Sequence, residues 1–366
     1  MPIRRTERTA EHPNHAENPI LSRGWRSSRS NKNSLGEDLD CLKPLTPAPG
    51  RAYARFVFSA CSLRRFCLVF LLCLPPAARA EAQIFRLATF NVENYLDAPS
   101  GTRHAKSPAA QAKVRDCILA MKPDVLALQE MGATNALLDL QSNLKSCGLD
   151  LPFWDEITGY DTNIHVAVLS RFPIVARRPH TNENFLLDGR RLAVSRGFAE
   201  VDIQVNPRYT FTLIAVHLKS RLPSAIADEE EWRYEEAAAL RRVIDARFAE
   251  DPAQNLAVVG DFNDMQDSKP LRTIMGRGAT RLFDTRPAER NGDTTASAGG
   301  GREPRRITWT DYYAKEDVYS RIDYILLGRG MQSRWLKEET YILTTPDWGL
   351  ASDHRPLVAG FAVPGP

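Results

Sequence analysis

Apolar residues in this chain gather into short runs, and most of the runs carry a polar residue at one end. Residues 84–91 alternate little, as expected of a strand covered on both faces, and the run brings Asn91 and Glu93 to its end. Residues 107–121 change period: Ala110, Val114, Cys117, Ile118 and Met121 recur at helical spacing, with Pro108 suited to the first turn. Lys122-Pro123-Asp124 turns the chain into a second strand, 125–129, that ends at Glu130, and 136–147 is a second helix closed by Gly148. Strands follow at 165–169 and 198–205. In the latter, Phe198, Glu200 and Asp202 alternate with Ala199, Val201 and Ile203, which predicts one face in water. A strand at 209–217 ends in His217, and 228–248 reads as a charged helix with Trp232, Leu240, Val243, Ile244 and Phe248 among its apolar positions. Runs at 256–260, leading to Asp261, and then at 322–327 and 357–363 complete the series.

The polar ends have a polarity. Asn91, Glu130, His217 and Asp261 close their strands, whereas Asp323 and His354 open theirs. For all of them to meet, the last two strands must run antiparallel to the first group. A mixed sheet allows this, and an all-parallel doubly wound sheet does not. No internal repeat and no linker interrupts 84–363, so one domain is expected over residues 81–366.

The chain has 366 residues, 43% of them hydrophobic, and a formal charge of +3. That charge is unevenly placed. Residues 1–80 hold 13 of the 48 Lys and Arg and 6 of the 45 Asp and Glu, leaving 35 basic and 39 acidic residues and a net of −4 in the remainder. The folded part therefore has no general attraction for nucleic acid, and any such binding must come from a local basic patch. Residues 1–62 are polar, lack periodicity and read as a disordered or mis-annotated extension. Leu63-Arg64-Arg65, an apolar stretch at 66–74 and Ala78-Arg79-Ala80 make a signal peptide over 63–80, with cleavage after Ala80 and a secreted or periplasmic product. The apolar stretch is too short for the roughly 20 residues of a spanning helix, so no stable membrane anchor is expected. Cys117 and Cys147 remain after cleavage; they form either one disulfide or two free thiols, since spacing alone does not say which. The segment 291–301, rich in glycine, serine and threonine, is a surface loop by composition.

Carboxylates, amides and imidazoles at the tips of buried strands suit a hard metal ion and a phosphate better than a packed core. The ordered set is Thr89-Phe90-Asn91-Val92-Glu93-Asn94, Leu126-Ala127-Leu128-Gln129-Glu130, Leu213-Ile214-Ala215-Val216-His217, Val258-Val259-Gly260-Asp261-Phe262-Asn263, Arg321-Ile322-Asp323-Tyr324-Ile325 and Ala351-Ser352-Asp353-His354-Arg355-Pro356. It closely resembles the endonuclease/exonuclease/phosphatase superfamily, which includes deoxyribonuclease I-like enzymes, abasic-site endonucleases, inositol polyphosphate phosphatases and bacterial sphingomyelinases. The resemblance spans about residues 84–363. It implies a four-layered α/β sandwich, with two mixed, largely antiparallel sheets packed face to face and helices outside. The activity implied is divalent-metal-dependent phosphoester hydrolysis.

On that resemblance, Asp261 orients or deprotonates the attacking water, Asn263 donates to a phosphate oxygen, and His354 binds phosphate as an imidazolium partnered by Asp323. His217 takes the second-histidine position. Glu130, with Asn91 and Glu93 beside it, is the expected metal site, and Asp353 a second metal position; oxygen ligands without a thiol suit Mg²⁺ or Mn²⁺. Glu93 stands where abasic-site endonucleases would have an aspartate. If the strand continues past His217, Lys219 and Arg221 share its face and, with Arg190, Arg191 and Arg196, form a strip that holds a nucleic-acid backbone by charge; an ordinary solvated basic loop is the alternative. The wording around Asn91 and His217 most resembles secreted bacterial nuclease-like members, so a monomeric nuclease with little sequence preference is expected. The alternatives are a sphingomyelinase-type hydrolase, made less favoured by the lack of an apolar hairpin, an inositol-phosphate hydrolase, and a catalytically silent binding module.

Overall fold

The computed structural model of the protein describes residues 81–290 and 306–366. The expected extension, signal peptide and cleavage site, and the 291–301 loop, lie outside the described residues. In chain order the strands begin with β1 (Gln83–Tyr95), β2 (Val125–Met131), β3 (Phe153–Ile157) and β4 (His165–Ser170). β5 (Ile174–His180), β6 (Asn184–Leu187), β7 (Arg190–Ala193), β8 (Phe198–Asn206) and β9 (Tyr209–His217) follow. The rest are β10 (Leu256–Asp261), β11 (Phe283–Asp284), β12 (Asp311–Tyr313), β13 (Val318–Ser320), β14 (Asp323–Leu327), β15 (Trp335–Ile342) and β16 (Leu357–Val363). The main helices are α1 (Pro108–Met121), α2 (Thr134–Ser146), α3 (Glu229–Glu250) and α4 (Lys269–Met275).

Two 6-stranded sheets carry the fold, ordered β15-β16-β1-β2-β4-β3 and β11-β14-β10-β9-β8-β5. Each has one parallel pair at its centre, β1 with β2 and β9 with β10, and each pair is joined by a helix, α1 or α3. Every other pairing within these two sheets is antiparallel, including β16 on β1 and β14 on β10, which is the polarity that the polar strand ends require. Period-two alternation sorts the strands into faces. Phe85, Leu87, Val125 and Ala127 pack with Leu213, Ala215, Ala257, Val259, Ile325 and Leu327 in a core between the sheets. Ala88, Phe90, Leu126 and Leu128 turn outward onto Val114, Ile118 and Met121 of α1 and Leu137 and Leu140 of α2. Ile214, Val216, Val258, Tyr324 and Leu326 meet Leu240, Ile244 and Phe248 of α3 on the opposite outer side. The four-layered sandwich is thus the observed architecture. At its centre, the Phe85 ring stacks on Phe361 at 5.1 Å and on Phe211 of the facing sheet at 5.3 Å.

Local chemistry sets the helix starts. The Ser107 hydroxyl accepts from Ala110 N at 3.2 Å with Pro108 following, and the Asp228 carboxylate accepts from Glu230 N and Glu231 N at 3.0 and 2.9 Å. Several elements exceed what periodicity shows. β3, β5 and β15 are rich in charged residues, the hairpins β6–β7 and β12–β13 are short, and none stands out as an apolar run. The outward face of β8 is also not in water. Phe198 packs beneath α3, and Glu200, fully buried, is held by Arg178, by His180 Nε2 at 2.8 Å and by Arg247 at 3.5 Å. Burial opposes the charge on Glu200, yet these partners hold its carboxyl below the usual range.

No disulfide joins Cys117 and Cys147. Cys117 is buried under α1 with its thiol 3.6 Å from Thr345 Oγ1, whereas Cys147 caps the end of α2 in solvent. Alkylation of the native, unreduced protein should therefore label Cys147 within the fast phase and Cys117 only after denaturation. A disulfide-linked peptide pair in the digest would overturn this.

Candidate active site

The interior of the sandwich ends in polar residues. Along the inward faces, Phe85 and Leu87 lead to Asn91, Leu213 and Ala215 to His217, Val259 to Asp261, and Leu327 and Ile325 back to Asp323. Pairing puts His217 opposite Asp261, and Asp261 opposite Asp323, so one sheet presents the three in a row across β9, β10 and β14. The other sheet supplies Asn91 and Glu130, and the turn before β16 supplies His354. Glu130 needs a device of its own. Strict alternation would send it outward with Leu126 and Leu128, but its φ of 60° and the register shift after Leu128 break the alternation there. Glu93, Asn94 and Asn263 are also left-handed, at 44°, 49° and 53°. Gly260, φ 137°, passes so close to Val216 that a Cβ would overlap its carbonyl, which lets Asp261 sit beside His217.

Hydrogen bonds cross from sheet to sheet at this level. Asn91 Nδ2 donates to Asp261 Oδ2 at 3.0 Å and to Glu130 Oε1 at 3.4 Å. Glu130 Oε2 accepts from Asn94 N at 3.0 Å. Asn263 N donates to Asp261 Oδ1 at 2.8 Å, and its side-chain amide to the Leu218 carbonyl at 3.0 Å. His354 Nδ1 donates to Asp323 Oδ2 at 2.8 Å, leaving Nε2 facing Asp261 at 3.8 Å and Asp311 at 3.9 Å. Burial works against a charged His354, but Asp323 and Asp261 outweigh it and hold the imidazole well above its ordinary pKa. His217 goes the other way. Burial, then the positive fields of Arg196, His354 and Arg103, push it well below, so it is neutral, with Nε2 3.5 Å from Asp261. Burial raises Asp261 to about 7 and Asp311 to about 6, each moderated by His354.

Glu130, His217, Asp261, Asn263, Asp353 and His354 line one cavity of about 510 Å³, with Arg221 at its rim. Its carboxylates outnumber its cations, and burial, with neighbouring carboxylates adding to it, pushes two of them up, so the donor set fits a divalent cation. Glu130 and Asp353 offer oxygens for it, as does Asn91 Oδ1, which also accepts from Glu93 N at 3.0 Å. Glu93 stands apart, in a neighbouring depression, with its carboxylate 3.7 Å from Lys106 Nζ.

The expected basic residues do not form one continuous strip: Arg196 and Lys219 line an adjoining cavity, and Arg190 and Arg191 lie away from both. β9 stops at His217, so Lys219 turns away from the cavity that Arg221 joins, with Arg221 Nη2 3.4 Å from Asp311. Arg190 and Arg191 are exposed on the β6–β7 hairpin, where Arg190 binds the Ile226 carbonyl, and they do not line the cavity. Arg196 is buried beside Lys219.

Three residues at the site escaped the strand-end pattern. Asp311 bridges to His354 through the backbone from the short β12, while the Thr310 hydroxyl accepts from Ile322 N and Asp323 N, both at 3.1 Å. The Ser352 hydroxyl donates to the Asn91 carbonyl at 2.8 Å and accepts from His354 N at 3.0 Å. The polar residues of Thr308-Trp309-Thr310-Asp311, shortly before the Asp323 motif, were the available signal.

The model of the Endonuclease/Exonuclease/phosphatase family matches residues 88–354. Truncated TDP2 of Caenorhabditis elegans has a similar structure, with a TM-score of 0.50 at 14% identity over 76% of this chain and 98% of that one. The human Nocturnin catalytic domain with bound sulfate anion gives 0.50 at 19% over 76% and 97%. Sphingomyelinase C from Streptomyces griseocarneus gives 0.50 at 16% over 76% and 99%. These likenesses are of fold. Comparison with curated proteins gave no match.

Two substitutions separate the halves of the site. Asp323→Asn should leave divalent-metal affinity intact, bring the His354 pKa down toward or below about 6.5, and cut kcat by about 10². Because His354 would then lose its proton at lower pH, the alkaline limb of the rate profile should move to lower pH. Glu130→Gln should weaken metal affinity, with part of the rate restored by excess metal. NMR titration of His354 and kcat against pH and metal check both; rescue of Asp323→Asn by metal would reverse the assignments.

Proposed function

Because this chain belongs to the endonuclease/exonuclease/phosphatase family and is a hydrolytic phosphoesterase with a generally divalent-metal-dependent chemistry, we propose that it is an exported nuclease, with little sequence preference, using Mg²⁺ or Mn²⁺. The observation that carries hydrolysis is the His354–Asp323 pair at 2.8 Å facing Asp261, whose pKa near 7 lets it act as a base at neutral pH. In this mechanism Asp261 accepts a proton from the attacking water. His354, charged, and His217, neutral with an N–H to donate, bind the oxygens of the phosphate on which charge grows, and Asn263 fixes Asp261. When bound at Glu130, a divalent cation supplies charge neutralisation at the phosphate and the leaving oxygen. Arg221 at the cavity rim, beside the loop of Lys219, supports a phosphate-backbone substrate.

A lipid phosphodiester is the second reading. No apolar hairpin stands out along the chain, yet β12–β13 lies at the cavity mouth with Val318 39% and Tyr319 52% exposed, near Leu222 at 61%. Among the described residues no helix is long and apolar enough to cross a membrane.

If the nuclease function holds, cleavage of DNA or RNA should fall steeply with salt, as counterion release weakens binding. Sphingomyelin hydrolysis without cleavage of any nucleic acid would move the conclusion to the lipid substrate. Export rests on the basic, apolar and Ala-x-Ala order at 63–80, and predicts Glu81 at the mature N-terminus. N-terminal sequencing of the protein from its native host should read from Glu81; an uncleaved leader would refute export.

A further inference from the structure

A second cavity, of about 580 Å³, adjoins the catalytic one, and its lining is cationic: Arg103, Arg196 and Lys219 converge there with Ser195 and Ser224. The two cavities share Ser220. They are also tied by hydrogen bonds. The Leu218 carbonyl accepts from Arg196 Nη1 at 3.1 Å and from Asn263 Nδ2 at 3.0 Å. Asn94 accepts from Arg103 Nη1 at 2.8 Å while its own N–H donates to Glu130. The fields of Arg196 and Arg103 reach His217, where they add to burial in keeping that imidazole neutral.

The charges of this cavity are not balanced from within. Asp161 is the carboxylate that lines it, and two guanidiniums share it, Arg103 at 3.3 Å and Arg196 at 3.7 Å. Glu236, fully buried behind, is taken up by Ser195 N and Oγ at 2.7 and 2.6 Å and by Lys219 N at 2.6 Å. The Lys219 ammonium finds carbonyls of Ser220 and Leu222, both at 3.2 Å, and no carboxylate partner among the described residues. Arg196 is 6% exposed and its buried Nε has no acceptor. The carboxylates that face this buried guanidinium, Asp161 and Glu236, are both shared with other donors, so it can still take an anion, and its planar fork matches a phosphate. On the same rim Tyr160 is 67% exposed, presenting a ring on which an unpaired base can stack.

We propose that this cavity is a subsite for a phosphate other than the one being hydrolysed, and that the substrate is a single-stranded nucleic acid spanning both cavities. The assignment rests on the nuclease function proposed above and narrows it. The strand's neighbouring phosphate lies against Arg103, Arg196 and Lys219, and its base against Tyr160, contacts that read no sequence.

Inhibition of bis(p-nitrophenyl) phosphate hydrolysis tests the subsite whether or not nucleotides are cleaved. The probes are dithymidine monophosphate, with one phosphate, and the same dinucleotide carrying an added 5′- or 3′-phosphate. One added phosphate should tighten inhibition of the wild-type protein by about tenfold, on the scale of a charge-assisted contact. That gain should vanish in Arg103→Gln and Lys219→Gln and largely survive in Arg103→Lys, with melting temperatures confirming that each variant is folded. Replacing the terminal thymidine by an abasic sugar should weaken the wild type by about tenfold and leave Tyr160→Ala indifferent. No gain from either added phosphate, a gain kept in both Gln variants, or a gain seen only with an inositol bisphosphate overturns the proposal. Gain without nucleotide cleavage would sink the nuclease function and keep the subsite; cleavage without gain would do the reverse.

Discussion

Everything at the active site depends on two sheets ending at the same level. Asn91 reaches Asp261 and His354 reaches Asp323 only because the core of Phe85, Phe211, Phe361 and their neighbours holds the sheets face to face. Burying an imidazole with a carboxylate costs desolvation energy that the pair alone often fails to recover. Here the backbone of both partners is held in place: the Thr310 hydroxyl accepts from Asp323 N, and the Ser352 hydroxyl from His354 N. The same burial creates the useful chemistry. It suppresses charge on His217 and lifts Asp261 into the neutral range, whereas His354, with Asp323 in contact, stays charged.

Much of this was legible in sequence, for a physical reason. A residue at the end of an apolar run is carried to the edge of a core by its own covalent neighbours, so Asn91, Glu130, His217, Asp261, Asp323 and His354 declared themselves. Position was legible where direction was not. Glu130 lies where expected but departs from strand alternation through a left-handed residue, and Lys219 turns off because β9 stops two residues earlier than the i+2 argument needed. Asp311 and Arg103 act through neighbours distant in the chain, from a three-residue strand and a loop that no periodicity marks. Glu200 failed in the opposite sense: a charge in an alternating strand reads as solvated, yet Arg178, His180 and Arg247 bury it.

The two sheets repeat one arrangement, a parallel pair joined by a helix and flanked by a late antiparallel strand: β16-β1-β2 and β14-β10-β9. Their contributions differ. One half brings Asn91 and Glu130 with the His354 turn, and the other brings His217, Asp261 and Asp323. Neither holds a working set of groups, so the acid–base pair forms only across the seam.

The left-handed residues around the site bear on how this protein can change. Glu93 and Glu130 hold left-handed backbone conformations that a side chain makes costly, on the order of 1–2 kcal/mol each, whereas Asn94 and Asn263 belong to a residue type that adopts them readily. Glycine would relieve that strain at both glutamates, offset in part by the freedom it adds to the unfolded chain, but at Glu130 it would also remove the functional group. Selection for thermal robustness alone would therefore drift toward a sturdier and inert protein.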